Sequence, residues 1–203
     1  MLRINIAIAS LGILGLMSCS PVKVPITNQY VLSAFSSKKD SAKPHSATLK
    51  ISNPEAAVEY QTSQMLYVKK PYRIESFANN AWASPPASML YPLIVQSFQE
   101  SGYFHAISSS VYAETSDYRL DTQLLRLQQN FLTVPSVLEF SVKVVLTHNE
   151  PNQVIGSHIF TIRVPCPEDT PYGGVLAANV AVKQFTAKVT RYVIAKVAKK
   201  SEP

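Results

Sequence analysis

The chain has 203 residues, 46% hydrophobic and only 16% charged, which excludes an intrinsically disordered protein and is enough for one domain with a substantial core. With two cysteines and six glycines it is neither a disulfide scaffold nor well supplied with phosphate-cradling loops. The net charge of +6 is largely local: Lys183, Lys188, Arg191, Lys196, Lys199 and Lys200 fall between Tyr172 and Lys200, where there is no acid.

Arg3 and the terminal amine form a short positive region. An apolar run from Ile4 to Met17 follows, interrupted only by Asn5 and Ser10. It is too short to span a bilayer comfortably and has the form of an export signal. It ends on Leu16-Met17-Ser18-Cys19, an order that resembles the bacterial lipobox. A thiol can carry a thioether-linked diacylglycerol, and the amine freed by cleavage can take a third chain. Each buried CH₂ contributes about 0.8 kcal/mol and one chain binds only marginally, so two or three hold firmly. The alternative is an ordinary cleaved signal with an incidental cysteine, but no A-x-A-like site lies nearby. We therefore expect a signal peptide over 1–18, an acylated tether over 19–27 and a domain over 28–200. Ser20 after the cysteine points to the outer membrane. Acylation of Cys19 leaves Cys166 without a partner, as a buried inert thiol or a reactive one. An exported lipoprotein has no nucleic-acid partner to meet.

In chain order, Pro21 and Pro25 oppose helix in the tether. Tyr30-Val31-Leu32 starts the first strand, residues 36–46 form a polar loop, and Thr48–Ile51 is a second strand ended by Asn53-Pro54. Two strands cover Met65–Val68 and Tyr72–Phe77, split by Lys69-Lys70-Pro71, and Asn79-Asn80 is a turn signal. Leu90, Leu93, Ile94, Ser97 and Phe98 follow the helical period, with Gly102 as the stop. Starting this helix near Ser88 as cap would place Pro92 close to the first turn, where its missing N–H costs little. A strand over Tyr103–Ile107 follows.

Three longer strands come next. Tyr118, Leu120, Thr122 and Leu124 alternate with polar residues until Leu125 and Leu127 shift phase, which predicts a bulge. Leu138 to Leu146 presents one apolar face. Val154, His158, Phe160, Ile162 and Val164 do the same after the turn at 149–152. Thr170-Pro171 caps a terminal helix whose Val175, Ala178, Val182, Phe185, Val189, Tyr192 and Val193 form one stripe. The fold class is α+β: a single domain with a mixed β-sheet containing a long antiparallel meander, packed by two main helices at about 88–101 and 172–198. There is no internal repeat.

Nothing in the sequence assembles a catalytic centre. There is no G-x-S-x-G elbow and no H-E-x-x-H pair. His148 and His158 are the best metal candidates, but strand register separates them by about four positions, roughly 13 Å at ~3.3 Å per residue, too far to share an ion. No metal, cofactor or catalytic residue is expected. Two features suit contacts instead. Phe131, Leu132 and Val134 make the loop at 130–136 unusually apolar, so it either folds back on the core or forms a partner-facing tip. Lys183, Lys188 and Arg191 lie off the helix stripe, either as a solvated face or as a contact for anionic headgroups or an acidic protein patch.

Residues 65–104, MLYVKKPYRIESFANNAWASPPASMLYPLIVQSFQESGYF, carry a recognisable order of elements. A strand with Tyr67, a turn at Pro71-Tyr72, and Phe77 four residues before Ala-Trp-Ala at Trp82 lead to Pro85-Pro86, a helix, and Gly102-Tyr103-Phe104. With the lipobox and Tyr30 soon after it, this resembles the ABC-type transport auxiliary lipoprotein family, the PqiC-like lipoproteins of MCE lipid-transport systems. Pro92 and residues 53–64 depart from the pattern. The resemblance implies a non-enzymatic auxiliary component of an MCE/ABC-type lipid-transport system, held to the periplasmic face of the outer membrane through Cys19. It implies an MCE-family protein as partner, and a homo-oligomeric ring as an assembly open to such proteins. A periplasmic lipid carrier with its own cavity is the alternative. Trp82 beside a proline-started helix either locks the strand-to-helix corner or stacks on a ligand.

Overall fold

The computed structural model describes residues 27–40, 45–108 and 116–201; Cys19, the signal and most of the tether lie outside them. The spine of the domain is β7 (Tyr118–Asn130), thirteen residues long, with β8 (Val137–His148) and β9 (Gln153–Pro165) completing an antiparallel meander. On its other side β7 is shared by three shorter parallel strands in succession. β2 (His45–Ile51) pairs at its start, β3 (Glu55–Ala56) at its middle and β4 (Gln64–Lys70) at its end. The sheet therefore forks. β6 (Phe104–Ser108) extends the β2 branch, while β5 (Arg73–Trp82) and then β1 (Asn28–Tyr30) extend the β4 branch.

One face of this mixed sheet is covered by α1 (Pro86–Ser101) and α2 (Pro171–Ser201). The α2 stripe from Val175 through Val182, Phe185, Val189 and Val193 is buried, and Phe185 packs edge-on to Phe140 and Phe160 with ring centroids 5.5 and 5.8 Å apart. Burying such a side chain contributes about 1.5–3 kcal/mol. The cap forms as the sequence predicts: Thr170 Oγ1 accepts from Gly173 N–H at 3.0 Å, and Pro171 fills the first helical position. α1 closes on Gly102 in the left-handed conformation, φ 66°. The bulge also forms: Leu124 pairs with Val142 and Arg126 with Ser141, leaving Leu125 as the extra residue.

Several boundaries differ, each for a physical reason. The first strand is Asn28–Tyr30, and Val31-Leu32 are outside it because the following chain bonds to α2 instead. Asn179 Oδ1 accepts from Ser33 and Ala34 N–H, and Thr186 Oγ1 from Ser36 N–H. β2 begins at His45, which pairs with Phe104, so the polar loop is shorter than residues 36–46. Lys69 and Lys70 belong to β4, and Tyr72 sits in the turn at φ 64°, not in the strand. Asn79-Asn80 lie inside β5, because the Asn80 carboxamide oxygen accepts from Asn28 Nδ2 and Tyr30 OH rather than turning its own backbone.

α1 starts at Pro86 rather than at Ser88, with Pro85 as a cap that makes no side-chain bond. Pro92 is consequently interior, but it and Ser88 share the exposed face, so the carbonyl it leaves unpaired meets water. α2 runs 171–201, slightly beyond 172–198. β6 starts at Phe104, not Tyr103. Val154 is exposed because Ile155 is a second extra residue: Leu146 pairs with Gly156 but Thr147 with Val154, which moves Val154 off the apolar face.

Candidate docking surface

The end of the β4 branch carries an apolar projection. Tyr67, Phe77 and Phe131 pack their rings with centroids 4.4 to 6.3 Å apart, and the Lys69 ammonium lies over Tyr67 and Phe131 at 5.2 and 5.4 Å. Strand alternation aims Tyr67 and Phe77 to one side, and Phe131 is fixed by its N–H donating to the Val68 carbonyl at 2.8 Å. Tyr72 is fully exposed at the tip of the β4–β5 turn; Ile74, on the opposite face of β5 from Phe77, and Leu132 and Val134 of the loop at 130–136 are 48%, 48% and 89% exposed. The Tyr67 hydroxyl bonds the Glu75 carboxylate, which holds Glu75 below the ordinary carboxylate range and raises Tyr67.

The loop at 130–136 divides its apolar residues. Phe131 folds back into the ring cluster while Leu132 and Val134 face outward. Its base is pinned by polar bonds: Ser136 N–H donates to Asp169 Oδ1 at 2.6 Å, Cys166 N–H to the Ser136 carbonyl at 2.8 Å, and Gln129 Nε2 to Ser136 Oγ at 2.9 Å. The Ser136 bonds hold Asp169 below its usual range. Cys166 is 2% exposed, and burial pushes its thiol up, so it is protonated and shielded.

Between this loop and the hairpin lies an open groove of about 380 Å³, walled by Tyr60, Val68, Tyr72, Ile74 and Leu132, with Arg126 and Glu139 at its floor. Glu139 is nearly buried on the sheet face away from the helices. It accepts from Gln128 Nε2 at 3.1 Å and Asn130 Nδ2 at 3.2 Å and is paired with Arg163 at 3.0 Å. Tyr60 OH donates to Gln128 Oε1, so the floor is a bonded polar network. In contrast, the space beneath Trp82, among Met65, Phe77, Leu127 and Gly174, is about 10 Å³, room for no more than a water.

The remaining sequence candidates are placed as follows. Trp82 ends β5 and is 3% exposed, Pro85 caps α1, and Phe104 opens β6 in the core; the Tyr30 ring lies 6.0 Å from that of Tyr172. Lys183, Lys188 and Arg191 are exposed on α2, distant in sequence from the aromatic projection. His158 pairs with Val144 and meets Phe160 edge-on and Tyr192 at a tilt, while His148 lies against Tyr118, so the two histidines stand four positions apart as register predicts. His45 stacks on Tyr103. Among the described residues no group of three His, Cys, Asp or Glu could hold a metal ion. Sequence reasoning missed Ile74 and also Tyr172, Leu176 and Val180, which are exposed on α2. Their spacing of four, off the core stripe, was the available signal.

The family model described as the ABC-type transport auxiliary lipoprotein component matches residues 30–190. The chain belongs to this family. Its members' name makes the protein a membrane-anchored lipoprotein of the cell envelope that acts with an ABC-type transport system. A Xanthomonas campestris protein assigned to the family DUF330 superposes with a TM-score of 0.78 at 20% identity, covering 87% of this chain and 100% of that one. An uncharacterized protein gives 0.66 at 16% identity over 83% and 99%, and the hypothetical protein CT253 of Chlamydia trachomatis 0.52 at 11% over 74% and 99%. At these identities the likeness shows the shared α+β fold alone. Comparison with curated proteins found no match. For this auxiliary lipoprotein, then, the surfaces just described are candidates for contact with other envelope components.

Proposed function

We propose that this auxiliary lipoprotein is a non-enzymatic adaptor, anchored through acylated Cys19 at the periplasmic face of the outer membrane, that docks the periplasm-spanning MCE assembly of an ABC-type lipid-transport system. The observation that carries the reading is the family match across residues 30–190. The domain suits it. An adaptor needs an exposed contact surface, and Tyr72 and Ile74 on the β4–β5 hairpin and Leu132 and Val134 on the loop pinned at Ser136 supply one. Several copies arranged as a ring would present this surface repeatedly around a conduit.

The carrier alternative needs a cavity of roughly 300–1,000 Å³ that encloses most of its ligand. The filled space under Trp82 and the fully buried Phe98, Phe140 and Phe185 favour the adaptor. Crosslinking in intact envelope followed by purification of the protein tests the reading: an MCE protein and its ABC transporter should co-purify. Native mass spectrometry of the purified protein separates the alternatives, since a carrier retains phospholipid and an adaptor does not. Recovery of bound phospholipid without an MCE protein would overturn the proposal.

A further inference from the structure

α2 holds more apolar residues than its buried stripe uses. Tyr172, Leu176 and Val180 recur every four residues and are 52%, 40% and 47% exposed. At 3.6 residues per turn, Lys183 and Arg191 fall on the same arc of about 100° as these three, and Lys188 flanks it. Val31, 54% exposed, adjoins the apolar end: its carbonyl accepts from Asn179 Nδ2 at 3.2 Å, and the preceding Tyr30 ring lies 6.0 Å from Tyr172. The face thus passes from aromatic and aliphatic to basic along the helix. No acid lies on α2 to balance it, and of the two acids just before the helix Asp169 accepts from Ser136 N–H while Glu168 accepts from Thr170 Oγ1.

The covalent chain points to what covers this face. From Cys19 to Asn28 there are nine peptide steps, at most about 3.6 Å each, so an anchor on Cys19 stays within roughly 32 Å of β1. β1 lies against the apolar end of the α2 face, through Tyr30 and Tyr172. This corner is therefore held near the leaflet that holds the acyl chains. Aromatic, aliphatic and basic residues on one helix face are the chemistry of a helix lying on anionic headgroups. A second copy of the same face offers Lys183 and Arg191 no carboxylate to meet.

We propose that the solvent face of α2 from Tyr172 to Arg191, together with Val31, rests on an anionic lipid leaflet. The domain is then oriented by two contacts, its acylated tether and this face, instead of turning freely on the tether. The inference rests on the reading of Cys19 as acylated, and the experiment separates the two. The full-length acylated chain carrying Leu176→Cys, labelled with an environment-sensitive NBD fluorophore, is reconstituted into vesicles of phosphatidylcholine with and without phosphatidylglycerol. Cys166 is buried and does not compete for label. Ser157→Cys, exposed on β9, is the control position.

The result expected is flotation of both labelled proteins with the vesicles, and a blue shift with quenching by lipid-borne quencher at residue 176 but not at 157, stronger with phosphatidylglycerol. Lys183→Gln and Arg191→Gln should each weaken this docking roughly fivefold on the anionic vesicles. A floating protein whose residue 176 remains in water overturns the inference and leaves the acylation reading standing. A blue shift without lipid quenching means a second copy or another protein segment covers the face, and also overturns it. A chain that does not float refutes acylation, and this inference with it.

Discussion

Trp82 is the only tryptophan in the chain and is 3% exposed where β5 gives way to α1, so Trp82→Ala tests the packing on which the rest depends. A buried tryptophan removes about 150–250 Å² from water, which at about 25 cal/mol per Å² corresponds to about 4–6 kcal/mol. Alanine retains about 0.8 kcal/mol of that through its methyl group, and the measured range for such truncations is about 3–5 kcal/mol. Met65, Leu66, Phe77 and Leu127 surround the site, and the space there is already only about 10 Å³, so little is available for collapse around the loss. For a domain of this size about 2–4 °C of melting temperature is lost per kcal/mol, which predicts a fall of about 6–20 °C. Thermal and urea unfolding of the variant measure this directly. In the wild type the same residue supplies the probe: its native emission should be blue-shifted and resistant to acrylamide, and should shift red in one step with unfolding. An unchanged melting curve, or native emission freely quenched, would refute the buried corner and make Trp82 a surface for ligand or partner.

Cys19→Ser should release the protein from the membrane fraction, read by fractionation of the envelope; retention in the outer membrane would contradict acylation. Gly173→Ala should lower stability by up to about 2 kcal/mol in urea unfolding, because a Cβ there runs into the Glu168 backbone carbonyl, a cost of about 1–3 kcal/mol that a gain in helix propensity of about 1 kcal/mol only partly offsets. Asp117 accepts from Thr48 N–H at 2.7 Å and from Thr48 Oγ1 at 2.8 Å, and these bonds hold its carboxyl below the ordinary range. A depressed folded pKa stabilises above the unfolded pKa, near 4, and that contribution disappears as pH falls through the lower folded value. Stability measured from neutral pH into the acid limb should therefore fall less steeply in Asp117→Asn than in the wild type.

The parts of the fold legible in the sequence are those set by periodicity and caps. The meander, the bulge at Leu125 and the α2 stripe all follow from side-chain alternation, and Thr170-Pro171 and Gly102 mark helix ends because their chemistry is local. What was not legible depended on distant partners. Asn79-Asn80 have the composition of a turn, yet they form strand because Asn28 and Tyr30, fifty residues away, take up Asn80's side chain. Val31-Leu32 have the composition of a strand, yet the chain there bonds to Asn179 and Thr186 of α2. Ser88 has cap chemistry, but Pro86 already supplies a helical start two residues earlier. The candidate surface divides in the same way. Alternation exposes the odd apolar residues of the 130–136 loop as anomalous, whereas only the fold shows that Phe131 turns in and Val134 turns out.

The most direct test of the adaptor reading is photo-crosslinking in intact cells from single positions on the apolar projection, with Val134 as the principal site and Ser157 as the control. The account predicts an adduct between Val134 and an MCE protein, absent from Ser157. Adducts from Val134 to phospholipid alone, or the same adducts from both positions, would contradict it.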